Sequence, residues 1–568
     1  MRLRHVSGAA TIAVAFAGIP ATVDTQGSFT LSAADVQDVL RAAAESLSDS
    51  TLAAAVVDRS GRILGVYSRV SSSTGIPDTA VTLARTGAFF SNDQAPLSSR
   101  TVRFISGIHF PPGVSNTGNA ALYGIENTNR GCQLGPTDVS PAGLDRPRSL
   151  AGSDVPGSPL LPCRPGDTRG CARGGPIAMA DGSLNLQVGI TTGKASVLDT
   201  GVPLDVPVSP GGIPIFRGGH VVGGVGVAGV TPARAEFAAT TAAAGSTGLG
   251  PVPVNPLPDP GAVFIDGIRL PFFGSCTSVQ CVLDALQQRP SGASAGLFQS
   301  SELLVVPRAG QPAPEGYLIG PLAGVGLTSD DVAHIVSQAA ARAGLTRAQI
   351  RLPYGQTTRM VIAVSDQTGT ILAAFRMPDS TVFSFDVSVT KARNAYYFSS
   401  RAGYDVLRAL VENSPYDKYT WTPDPPSGQG WAMTNRTLSF GGQPLFPPGI
   451  DLKKTPTPGP WFDLFTYDLL NPCTEGPGAT RGGNPTYANQ SGIVWFPGSA
   501  PLYKNGTLVG GVGVSGDGVE QDDYVTAGAV AGFEPPASLR VDRSAIRTGA
   551  GESVPLPYWK FPRNPELP

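Results

Sequence analysis

Ala363-Val364-Ser365-Asp366-Gln367-Thr368-Gly369-Thr370-Ile371-Leu372 repeats the stretch Ala55-Val56-Val57-Asp58-Arg59-Ser60-Gly61-Arg62-Ile63-Leu64 at an offset of 308 positions. Two short apolar runs around Asp-x-x-Gly spell a β-hairpin, in which the glycine supplies the positive φ of a tight turn. A hairpin written twice points to a fold built twice. The same offset carries Asp78-Thr-Ala-Val81-Thr82-Leu83-Ala84-Arg85 onto Asp386-Val-Ser-Val389-Thr390-Lys391-Ala392-Arg393, and Phe89-Phe90-Ser91 onto Tyr397-Phe398-Ser399. Each hairpin is thus followed by a predicted helix.

Upstream, Leu31-Ser-Ala-Ala-Asp35-Val36 matches Leu327-Thr-Ser-Asp-Asp331-Val332. Ser or Thr followed by an acid and a helical apolar spacing is how an N-cap satisfies the free amides of a first turn, so both stretches predict amphipathic helices. Downstream, the run Pro214 to Gly229 matches Pro501 to Gly516, each a strand, a glycine turn and a Gly-rich strand, with a closing helix predicted at Asp522 to Ala531 in the second copy. The offset here is 287, so the copies carry unequal insertions, about 92–208 in the first and 401–499 in the second. Segments of that length inside a domain are expected to be ordered excursions. The predicted organisation is a signal peptide at 1–27, a first domain at 28–245, a Pro/Gly-rich linker at 246–325, a second domain at 326–535 and a tail at 536–568.

Composition narrows the function classes. The 568 residues carry 41 Lys+Arg against 43 Asp+Glu, with only 15% charged, so no basic field exists to hold a phosphate backbone and nucleic acid is not an expected partner. Arg2 and Arg4 precede an apolar run from Ala9 to Ile19 that ends at Pro20-Ala21; this is the order of a secretory signal, and a secreted or periplasmic location is expected. The run is too short to span a bilayer, and no transmembrane segment follows. Six cysteines fit three disulfides in an oxidising compartment. Proximity pairs Cys276 with Cys281 and Cys163 with Cys171, leaving Cys132 for Cys473, one of several possible connectivities. No C-x-x-C-H attaches a c-type haem and no spacing suggests structural zinc.

The blocks at Leu327, Ala363, Val389-Thr-Lys-Ala-Arg-Asn-Ala-Tyr-Tyr-Phe398 and Pro501, with Glu520-Gln521-Asp522, resemble the GlcG/HbpS-type haem-binding family, which includes the C-terminal domain of the PduO adenosyltransferases. The resemblance covers about half of the chain and leaves out both insertions, the linker and the tail. It implies an α+β fold of two related domains, each a curved antiparallel sheet flanked by helices, with long loop-rich insertions, and non-covalently bound haem as cofactor. Two tandem copies imply an internal pseudo-dimer and allow a homo-oligomer. The first copy departs from the pattern: Leu83 stands at the lysine position kept as Lys391, and Ala233-Arg234-Ala235 replaces Glu520-Gln521-Asp522. A degenerate first site is expected.

Within that resemblance the candidate haem ligands are few. Haem iron takes His, Cys, Met or Tyr, and of four histidines His5 lies in the signal, His109 and His220 read as loop residues, and His334 lies in the opening helix of the second copy, about 200° from its apolar face. His334 is the candidate metal ligand. Tyr396 and Tyr397 are alternatives that equally suit packing, while Lys391 and Arg393 could neutralise a propionate or make ion pairs with Asp386 or Asp379. Asp58 and Asp366 read as turn residues, and Glu520 to Asp522 as acids favoured by a helix dipole. Both copies satisfy G-x-G-x-x-G, but inside the last strand and without the βαβ context of a dinucleotide site. No hydrolytic triad or G-x-S-x-G is present. Three readings remain: haem storage, transport or sensing; a structural or adhesion scaffold that has lost the cofactor; and an enzyme on small hydroxy or oxo acids.

Overall fold

A computed structural model describes residues 29–108, 122–129, 132, 177–178, 184–185, 208–253, 263–265, 267–447, 457–470, 474–476 and 490–567. The expected signal peptide, His5, His109, Cys163, Cys171 and Cys473 lie outside the described residues. The expected Cys276–Cys281 disulfide is present.

The first half runs α1 (Ala33–Ser46), β1 (Ala53–Asp58), β2 (Ile63–Ser68), α2 (Ile76–Phe90), β3 (Gly212–Arg217), β4 (His220–Ala228) and α3 (Pro232–Ala243). After β5 (Leu303–Val305) and β6 (Gly316–Ile319), the second half repeats that order as α4 (Ser329–Ala343), β7 (Val361–Asp366), β8 (Ile371–Arg376), α5 (Ser384–Ser399), β9 (Ser499–Lys504), β10 (Thr507–Ser515) and α6 (Val519–Ala529). The sheets are open and antiparallel, ordered β5-β2-β1-β4-β3 with a short added edge at Leu249–Gly250, and β6-β8-β7-β10-β9. Their registers correspond: Ala55 faces Gly226 as Ala363 faces Gly513. The fold is α+β, as expected.

Local chemistry explains the repeat. Ser32 and Thr328 each cap their helix through a reciprocal capping box with Asp35 and Asp331. Asp58 Oδ1 accepts from the amides of Ser60 and Arg62, and Asp366 Oδ1 from those of Thr368 and Thr370, which makes both acids turn residues. The glycines of the G-x-G-x-x-G runs have a packing cause. A Cβ on Gly224 or Gly226 would lie 2.2 or 2.0 Å from the carbonyls of Ala84 and Ala80 on α2, and one on Gly511 or Gly513 2.1 Å from those of Ala392 and Ser388 on α5. Each central strand is bare so that a helix can lie directly on it.

Alternate residues of β1 and β7 enter different cores: Ala55 and Ala363 face inward, Val56 and Val364 face α1 and α4. The inner faces of both sheets, with α2, α5 and parts of both insertions, share one continuous apolar core. Across it Phe90 stacks on Phe383 at 4.3 Å, the Val382 amide donates to Phe89 O at 3.0 Å, and Asp379, paired with Arg351 at 2.6 Å, accepts from the Asp93 amide at 3.1 Å.

Two expectations change. The stretch read as a linker instead contributes an edge strand to each sheet, β5 on β2 and β6 on β8. The tail is likewise fastened: Ala545–Arg547 pairs with Thr420–Thr422 of the second insertion. Proline and glycine there mark turns between short strands, not a flexible tether. Among the described residues, no helix is long and apolar enough to cross a membrane.

Candidate functional site

Helix α5 is buried along nearly its whole length, so its polar side chains must find partners inside the protein. Lys391 Nζ donates to Asp522 Oδ2 at 2.9 Å and to Val514 O at 2.8 Å, with the ring of Phe496 4.9 Å away. Asp522 belongs to the first turn of α6, and its other oxygen, Oδ1, is buried without a hydrogen-bond partner. Asp517 accepts from Arg351 Nε and from the Arg359 amide, and Asp523 from Arg436 and the Gly498 amide. Three buried carboxylates thus surround the start of α6. The acids read as helix-dipole residues include one, Asp522, that is the partner of the candidate lysine; Glu520 instead meets Lys560 at the surface.

Burial pushes the Asp522 carboxyl up to about 7, against the pull of Lys391, and drives the Lys391 ammonium below its usual range. Desolvation therefore outweighs the contact for both partners. Burial also raises Glu126 to about 8. Each of these carboxyls binds its proton more tightly in the folded chain than in the unfolded one, where the ordinary values are 3.8 and 4.5. The folded state therefore takes up protons between those values and about 7 to 8, and unfolding free energy falls as pH rises through that window. Urea midpoints are expected to be lower at pH 8 than at pH 5, and Glu126→Gln should flatten part of the slope; a midpoint that rises across the window contradicts this assignment.

Asp522, the partner of Lys391, also lines a narrow slot between the halves. Phe383, Phe496, Ser515 and Gly516 come from the second half, and Phe90, Leu97 and Ile105 from the first. The space open to water centres is about 20 Å³, room for about one water. At the corresponding place in the first half Leu83 and Ala235 replace Lys391 and Asp522, and a cavity of about 610 Å³ by the same measure opens instead.

The other candidates lie apart from the slot. Arg393 Nε donates to Gly369 O at 2.7 Å, as Arg85 Nε does to Gly61 O at 2.9 Å, so this arginine braces the hairpin turn in both halves. Tyr397 is buried edge-on to Phe398 at 5.0 Å, and Tyr396 is half-buried; burial raises both phenols. His334 is exposed on α4, and the Gln338 amide donates to its Nε2 at 2.6 Å. The second sheet separates α4 from α5, so the five candidates do not converge. His220, read as a loop residue, opens β4; its Nδ1 lies 2.6 Å from Asp93 Oδ2 and its ring stacks on Phe29 at 4.5 Å.

Two open antiparallel sheets, each carrying a helix seated on glycines and two helices on the opposite face, define a duplicated α+β architecture. A family model described as "Haem degrading protein HbpS-like" matches residues 461–531, which span β9, β10 and α6. That segment of the second half is similar to an HbpS-like domain. Among solved structures, the chain is similar to the PduOC:heme complex (19% identity, 37% of this chain and 96% of that one, TM-score 0.21). It is also similar to the Klebsiella pneumoniae protein ORFY (18% identity, 36% and 90%, TM-score 0.20). No curated protein matches the chain.

Neither cavity suits a porphyrin iron, since no described residue lining them is a His, Cys, Met or Tyr, and the slot holds about one water. The exposed imidazole of His334 does fit the role of an iron ligand, its ring held only by a neutral amide.

Proposed function

We propose that the chain is an exported protein that binds haem non-covalently, to store, carry or sense it, and that the iron is taken at the outer surface of the second half by His334. The observation that carries this reading is the contrast between the two described histidines: His220 is engaged by Asp93 and stacked on Phe29, whereas the His334 ring is exposed beside Gln338. Iron bound there would take an imidazole nitrogen as axial ligand. The family match supports haem as the ligand class. Export is supported by the Arg2, Arg4 and Ala9–Ile19 pattern and by the disulfide. The first half, in this reading, is a diverged copy.

Hemin titrated into the full chain is expected to give a sharp, saturable Soret band, weakened at least about tenfold by His334→Ala. Lys391→Leu combined with Asp522→Ala should leave the band in place. A band indifferent to His334→Ala overturns the assignment. A second reading, a structural or adhesion scaffold without cofactor, is favoured by the side chains of the first half that narrow the slot beside Asp522, and a broad, unsaturable absorbance would support it.

A further inference from the structure

In the first half both members of the buried ion pair are gone. Leu83 and Ala235 occupy their places, and the cavity they border lies between the end of β4 and the starts of α2 and α3. Its volume, about 610 Å³, falls in the range of small-molecule sites. The walls are largely aliphatic: Ile76, Leu83, Val227, Val230 and Ala235. The polar groups at its margin are already engaged. Thr51 Oγ1 donates to Gly229 O at 2.6 Å, Thr79 Oγ1 to Gly75 O at 3.2 Å, and Asp49 pairs with Arg234 at 2.7 Å. At the start of α3, Pro232 brings no N–H to the cavity and the Ala235 amide is already bonded to Thr231 O at 2.8 Å, so the polar capacity left at the margin is the lone pairs of the Thr51 and Thr79 hydroxyls.

We propose that this cavity is a binding site for a small, uncharged, mostly apolar molecule bearing a single hydroxyl group. The charge of the site decides the class. A carboxylate or ammonium entering here would be desolvated without the counter-charge that Lys391 or Asp522 provides in the other half, and the one charged lining group, Asp49, is already paired. An apolar body replaces water over the aliphatic walls, and a single hydroxyl on it can donate to the lone pairs of the Thr51 or Thr79 hydroxyls, whose own protons are already given to Gly229 O and Gly75 O. The inference is independent of haem binding, which is assigned to the opposite half.

The test uses the full chain and the uncharged fluorophore Nile red. Saturable binding is expected, with decanol displacing the probe at least about tenfold better than decanoate at neutral pH. Ala235→Phe and Leu83→Trp, which fill the cavity from two sides, should each weaken binding by about the same factor where circular dichroism shows the variant folded. Non-saturable fluorescence, displacement by decanoate as strong as by decanol, or unaltered binding in a folded filling variant overturns the proposal. The competition needs no variant, so a variant that fails to fold leaves the question decided.

Discussion

Lys391→Ala is expected to cost about 3–5 kcal/mol of folding stability, and Lys391→Leu combined with Asp522→Ala to recover most of that loss. Without the pull of Lys391 the Asp522 carboxyl, already raised to about 7, is driven higher and must bind a proton at neutral pH or stay charged with no cation, beside the buried Asp517 and Asp523. Asp522→Ala alone leaves Lys391 with a carbonyl and an aromatic ring but no anion. The double change removes both desolvation penalties together, and the first half already lives with that combination at Leu83 and Ala235. A double-mutant cycle by urea denaturation at neutral pH should therefore give a coupling of several kcal/mol of opposite sign to the single losses. Losses that simply add would mean that Lys391 and Asp522 act separately.

That paired exchange was legible in the sequence, but only as two separate departures. Leu83 stands 152 positions from Ala235, and Lys391 131 positions from Asp522, and nothing in either half states that α5 and the first turn of α6 meet. Only the fold brings a helix on one face of the sheet to the helix that follows the last strand. The repeat itself was readable because it is local: caps three residues apart, an Asp bonding amides two and four residues on, glycines under a helix. Arg393 is less legible although its partner is close: Gly369 O lies in the hairpin that the repeat places, and Arg85 with Gly61 repeats the contact, yet a propionate, Asp386 or Asp379 suits an arginine on a predicted helix as well as a turn carbonyl does until that helix is known to be buried. The linker was misread because short edge strands carry Pro and Gly at their turns and too few residues to show alternation.

The fastening of the two halves leads to the second large effect: residues 312–568 expressed alone should not fold cooperatively, whereas the full chain should unfold in a single calorimetric transition. Independent domains keep separate cores, but here the inner faces of both sheets open onto one. Cutting between β5 and β6 would strip Phe90 from Phe383, and expose Ile350 and Phe496 at the slot, all at most 7% exposed in the full chain. It would also remove Asn92, whose amide donates to Ile350 O, and the Phe89 carbonyl that accepts from Val382. Losing large buried aromatic contacts costs about 3–5 kcal/mol each, and a few such losses match the whole stability of an ordinary domain, about 5–15 kcal/mol. The isolated half is expected to bind anilinonaphthalene sulfonate strongly and to lack near-ultraviolet circular dichroism from its tryptophans. Two resolved calorimetric transitions in the full chain, or a sharply folding fragment, would show that the shared core is a contact between finished domains. In that case the tandem arrangement would bring two autonomous sites together, and the single layer around α2 and α5 would no longer explain why both helices are buried end to end.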